Sequence, residues 1–169
     1  MENLLQFVPA DQIIACVRDP ERANDLLEKG FEIRFGVRNA LYMDFVDALG
    51  LKEAIQSGEL ITYPGNWLFN SVTRKDLALA MAVVLTSTGH DNQIYELTSP
   101  RPWDFSELVE VLSELSGKRI VHRQDSSIQH WLYSFLSKID TASTSKDLEE
   151  LMGRPVSSLK ESILPFLQA

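Results

Sequence analysis

Three histidines, one cysteine and a few aromatic and polar side chains hold whatever chemistry this chain can do. His90 follows Gly89 in a stretch that reads as an exposed loop, His122 alternates in an extended segment, and His130 stands beside Trp131 in a helical one. None has a second His, Cys or carboxylate at metal-ligand spacing, so the sequence predicts no metal. No Ser–His–Asp arrangement announces itself, and catalytic residues stay unknown. Cys16 lies in an apolar run and reads as a small buried hydrophobe. Trp67 and Phe69 could line a pocket for a flat aromatic ligand by stacking, or could equally pack the core. Asn39 offers both a donor and an acceptor, and Asn is also a good helix cap. Thr73, Arg74 and Asp76 form a polar knot at a helix start, where cap and helix dipole account for them. Trp131, Leu132 and Phe135 read as core or interface, with core favoured.

The elements that must position these residues follow from periodicity. Residues 2–7 look like the last turns of a helix, and Pro9 with Asp11 makes a turn. The run 13–17, IIACV, is apolar throughout, as in a parallel strand buried on both faces. Arg18 ends it. Asp19 caps a helix with Pro20 at its first position, and Gly30 stops that helix. Phe31, Ile33 and Phe35 alternate with polar residues, which completes a βαβ unit. Residues 41–56 read as one helix closed by Gly58. A strand over 59–63, a turn at Pro64-Gly65-Asn66 and an extended piece over 67–72 come next. Thr73 starts a helix ending near Gly89. A strand over 93–98, a helix from Asp104 or Ser106 to Gly117, a strand over 120–123 and a helix over 128–139 follow. Two short helices, near 146–152 and 158–167, close the chain.

Composition narrows the function classes. With 44% hydrophobic and 24% charged residues, the 169-residue chain has the makings of a folded core. A net charge of −8 argues against nucleic acid, which needs clustered Lys and Arg. A single cysteine forbids an internal disulfide and fits a reducing compartment. No apolar run reaches the roughly 20 residues that span a bilayer, and the acidic N-terminus lacks a signal-peptide layout. No membrane partner and a cytoplasmic location are the expectations.

The tract IIACVRDPERANDLLEKGFEIRFG resembles the second strand, following helix and third strand of the NmrA-like group of atypical short-chain dehydrogenases. VRNALYMDF resembles the segment after that family's central sheet, where a strand end meets the cofactor and leads into the substrate domain. FNSVTRKDLALAMAVVLTS, QIYELTSPRPWDFSELVEVLSELSGK and DLEELMGRPVSSLKESI continue the likeness in order. The match is to the NAD(P)H-dependent quinone oxidoreductase members. It implies an α/β fold: a partial Rossmann-like βαβ unit packed with an α+β substrate-type region. Residues 1–36 would be a remnant of the NAD(P)-binding half, and 37–169 the substrate side. The resemblance also implies NADP(H) or NAD(H) as cofactor, with Arg18 on the 2′-phosphate and Asn39 and Tyr42 near the nicotinamide. A quinone-like acceptor would lie against Trp67 and Phe69.

The departures from the family matter as much. Its Gly-rich turn, whose backbone N–H groups hold a pyrophosphate at a helix N-terminus, has no counterpart: G-x-G-x-x-G spacing occurs nowhere in the chain. The family's fourth and fifth strands should fall between Gly36 and Val37. A sheet lacking its centre leaves unpaired edges, which invite a homodimer. A shortened gene product, an error in reading the gene and a protein that folds with a partner all fit. The expectation is therefore an NAD(P)H-dependent oxidoreductase with impaired cofactor binding. The alternatives are a non-catalytic interaction module derived from a dinucleotide sensor and a remnant without function.

Overall fold

The computed structural model describes residues 9–10, 14–15, 28–30, 32–33, 37–90, 93–128 and 130–168. Within them the chain mixes helices with short, mostly parallel strand pairs, the α/β class expected. Strand β1 (Ile14–Ala15) pairs in parallel with β2 (Glu32–Ile33), as a βαβ unit requires. Gly30 between them has φ 81°, a conformation that suits a helix end. The predicted helices before Pro9 and over most of 20–29, with Arg18 and Cys16, lie outside the described residues.

Further along, β3 (Val37–Asn39) pairs in parallel with β8 (Tyr95–Leu97). Strand β4 (Leu41–Tyr42) pairs in parallel with β7 (Ser71–Val72). A 3₁₀ helix over Met43–Leu49 follows, then α1 (Leu51–Ser57). The single helix expected over 41–56 is thus corrected. Its first residues are drawn into strands by partners some thirty and more residues away, and Gly50, at φ 69°, separates the two helical pieces. Only glycine takes that backbone conformation without cost.

The remaining order follows the sequence closely. Strand β5 (Glu59–Thr62) pairs in parallel with β10 (Val121–Gln124), and β6 (Leu68–Phe69) antiparallel with β9 (Trp103–Asp104). Helix α2 (Arg74–Thr86) starts at Thr73, whose Oγ1 accepts from the Asp76 N–H at 3.1 Å, as a cap should. Helix α3 (Phe105–Ser116) starts at Asp104, which accepts from the Glu107 N–H at 2.9 Å, and stops at Gly117. Three shorter helices complete the chain: α4 (Trp131–Leu136), α5 (Asp147–Met152) and α6 (Leu159–Gln168).

Two apolar clusters form the interior. The larger joins the 3₁₀ helix, α1, α3, α4 and α6 through residues such as Val46, Leu60, Phe69, Leu108 and Ile163. The smaller packs Val72, Leu77 and Ala80 on Leu97 and Leu148. Beside the smaller cluster lies the fully buried carboxylate of Asp76. Its Oδ1 accepts from Arg154 at 2.6 Å and its Oδ2 from the Ser157 N–H at 3.0 Å and the Thr73 hydroxyl at 2.9 Å. The cap read from sequence is therefore also an anchor for the segment after α5.

Burial by itself would raise the Asp76 pKa, but the bonds from Ser157, Arg154 and Thr73 outweigh it and hold the carboxyl below its ordinary value. The unfolded chain then binds more protons than the folded one in acid, so stability falls with pH. Asp76→Asn should cost about 3 kcal/mol at neutral pH, by analogy with other broken buried pairs, read from urea unfolding. The same variant should lose less stability than the parent chain between about pH 5 and pH 2. Equal acid sensitivity of the two proteins would contradict this role for the carboxylate.

Candidate functional site

Local sequence explains how a hollow forms beside β5. Pro64 and Gly65 bend the chain after that strand, and Gln124 of β10 donates to the Gly65 carbonyl at 3.0 Å, which fixes the bend. Gly65 has φ 150°, and a Cβ there would stand 2.8 Å from Trp67 Nε1. Only glycine lets the indole lie so close. Trp67 Nε1 donates to the Tyr63 carbonyl at 3.1 Å, so the ring is folded back over its own loop.

The opposite wall comes from the segment entering α4. Together Tyr63, Trp67, Ile128, His130, Trp131 and Tyr133 enclose most of a cavity of about 520 Å³. Trp67 and Tyr133 lie 5.4 Å apart between ring centroids, and Tyr63 and Tyr133 5.7 Å. Among the described residues, no acidic side chain lines this hollow. Burial pushes the Tyr133 hydroxyl pKa up, partly offset by a backbone hydrogen bond at Tyr63, so Tyr133 stays a neutral phenol. His130 caps α4 with its ring: Nδ1 accepts from the Leu132 N–H at 3.2 Å.

Behind Trp67 lies a smaller, more polar hollow of about 320 Å³, lined by Asn66, Asp104, Ser106, His122 and Gln124 among others. His122 Nε2 pairs with Thr62 Oγ1 at 2.7 Å. Burial lowers the His122 pKa, with the nearby Asp104 charge acting against it, so the imidazole is neutral at pH 7.

The predicted site residues fare unequally. Trp67 lines both hollows. Phe69 does not: it has no exposed surface and packs on Phe45, Trp103 and Phe105 at centroid distances near 5 Å. Antiparallel pairing of β6 with β9 turns it inward beside Trp103, so the pocket assignment for Phe69 is corrected to core. Trp131 and Phe135, favoured as core, are 68% and 46% exposed, because the short α4 buries Leu132, Tyr133 and Leu136 instead. His90, read as merely exposed, is tied to Ser87 Oγ at 2.8 Å and Tyr95 Oη at 2.7 Å. Tyr42 lies under the Arg74 guanidinium at 4.6 Å, and Arg74 is paired with Asp44 at 2.8 Å. The backbone of Asn39 is in β3; its side chain and all of Arg18 lie outside the described residues. Sequence reasoning missed Tyr63, Tyr133 and a role for His130. The adjacent His130-Trp131 pair at the head of an apolar stretch was the available signal.

Comparison with known proteins agrees with this architecture. No family model matches the chain. Over 128 residues it is 28% identical to quinone oxidoreductase 2 of Escherichia coli, an alignment covering 65% of the chain but 45% of that relative. The chain thus spans less than half the length of this curated relative. The crystal structure of Citrobacter sp. triphenylmethane reductase matches with TM-score 0.66 and 28% identity, over 99% of this chain and 94% of that one. The NADPH complex of an Escherichia coli quinone oxidoreductase matches with TM-score 0.63 and 21% identity, over 96% and 93%. The chain is thus similar in sequence to a quinone oxidoreductase and a triphenylmethane reductase, and it shares the fold of an NADPH-dependent quinone oxidoreductase.

Whether the described residues fit such a cofactor can be tested at the helix starts, where a pyrophosphate would rest. Asp76 fills the start of α2 and Asp104 that of α3. Glu161 Oε2 accepts from the Ser158 N–H at the start of α6. Glu53 sits against Gly50 before α1. These four starts each have a carboxylate beside them, which repels a phosphate, whereas α4 starts at His130 with no acid in its first turn. The starts of α1, α2, α3 and α6 do not fit a pyrophosphate.

Gly65→Ala should displace Trp67. The expected results are a loss of about 1–2 kcal/mol in stability and a shifted tryptophan emission spectrum. An unchanged spectrum and midpoint would show that the loop tolerates a Cβ.

Proposed function

We propose that this chain is the acceptor-binding side of an NAD(P)H-dependent oxidoreductase fold, with a flat quinone-like molecule as its ligand and an impaired hold on the dinucleotide. Residues 1–36 are the remnant of the cofactor half, and residues 37–169 are the substrate side. The observation behind this reading is the aromatic hollow. Trp67, Trp131, Tyr63 and Tyr133 offer π-faces, and Phe69 stacks beneath Trp67 with the two rings 2° from parallel at 6.3 Å. Such walls favour a planar, weakly hydrated ring. The relatives support the ligand class, being a quinone oxidoreductase and a triphenylmethane reductase by name. In this reading the chain's own residues hold and orient the acceptor. Arg18, Asn39 and Tyr42 are the residues proposed to touch the dinucleotide.

A second reading, a non-catalytic interaction module, draws on the exposure of Trp131 and Phe135. It needs no cofactor and no small ligand.

Calorimetric titration separates these readings. NADPH and NADH should give no saturable heat below millimolar concentration, whereas duroquinone should bind. Trp67→Ala should weaken duroquinone about three- to tenfold, the loss expected for one stacking contact. Micromolar NADPH binding would overturn the impairment. Absence of duroquinone binding would leave the interaction module standing.

A further inference from the structure

In the wall of the hollow, the hydrogen-bonding role of His130 is decided by its own helix start. His130 Nδ1 accepts the Leu132 N–H at 3.2 Å, so this nitrogen carries a lone pair and no proton. The neutral ring must then carry its proton on Nε2. That N–H has no hydrogen-bond partner among the described residues, while the ring lines the hollow and lies 5.7 Å from Trp131. Ser137, also in the wall, spends its hydroxyl proton on the Ser134 carbonyl at 3.1 Å. The ring thus brings a donor into the lining of the hollow, and no carboxylate among the described residues lines it.

We propose that His130 is the positioning and specificity residue of this site: its Nε2–H holds a carbonyl oxygen at the edge of a planar ring stacked in the hollow. This rests on the aromatic hollow being the acceptor site. It goes further by naming the ligand's edge. The ligand must present a hydrogen-bond acceptor, as a quinone does, and a cationic triarylmethane dye gains nothing from His130. The helix cap serves this selection directly. An imidazole free to flip would offer a donor or an acceptor; the Leu132 N–H removes the second choice.

The test uses a matched pair of probes. Duroquinone and durene share one methylated ring and differ in the two carbonyl oxygens. Duroquinone also has no open ring position for thiol addition, so Cys16 does not interfere. In equilibrium dialysis the full chain should bind duroquinone about three- to tenfold more tightly than durene, the range for one hydrogen bond. His130→Asn keeps a side-chain oxygen for the Leu132 N–H, and so keeps the cap, but cannot place a donor where Nε2 stands. It should abolish the preference for duroquinone over durene. His130→Asp should shift the preference towards crystal violet, a cation, by at least about threefold. A preference that survives in His130→Asn overturns the role of His130 while leaving the hollow intact. If neither duroquinone nor durene binds, the hollow reading and this inference fall together.

Discussion

The stack of rings around Phe69 is the interaction on which the rest depends. Phe69 is fully buried, with Phe45, Trp103 and Phe105 near 5 Å and Trp67 lying parallel above it. Each pair adds attraction beyond simple burial, and together they fix the strand that directly follows Trp67. The stack is thus core on its inner side and the support of the hollow on its outer side. Gly65 and the Gln124 bond then bring the indole down over the loop. A hollow built this way has a wall that is part of the protein's own interior.

Charge is placed with similar economy. The carboxylates at the starts of α2, α3 and α6 satisfy local N–H groups. Asp76 does more, since its two oxygens also tie down Arg154 and Ser157, some eighty residues on. These anchored acids stabilise the helix starts and keep anions away from them.

Polar groups near the hollow are also held by partners. His122 Nε2 is held by Thr62, and both nitrogens of His90 are held, by Ser87 and Tyr95. His130 uses Nδ1 for the fold, and its ring lines the larger hollow.

Much of this was legible in the residues themselves. The helix starts at Thr73 and Asp104, the stops at Gly58 and Gly117 and the parallel βαβ pairing follow from local chemistry: a hydroxyl or carboxylate that meets its own turn, a glycine that accepts positive φ, an apolar run of strand length. Those signals act over a few residues and so survive reading in one dimension. The short strand Leu41–Tyr42 did not, because its helix-like pattern yields to a partner at 71–72. Nor did the faces of α4 and β6: pairing with β9 turned Phe69 inward, and a six-residue helix left Trp131 outside. The sequence by itself determined the capped helix starts at Thr73 and Asp104 and the glycine stops at Gly58 and Gly117. Tertiary structure alone decided which aromatic rings became core and which became wall, because that choice depends on contacts between residues distant along the chain.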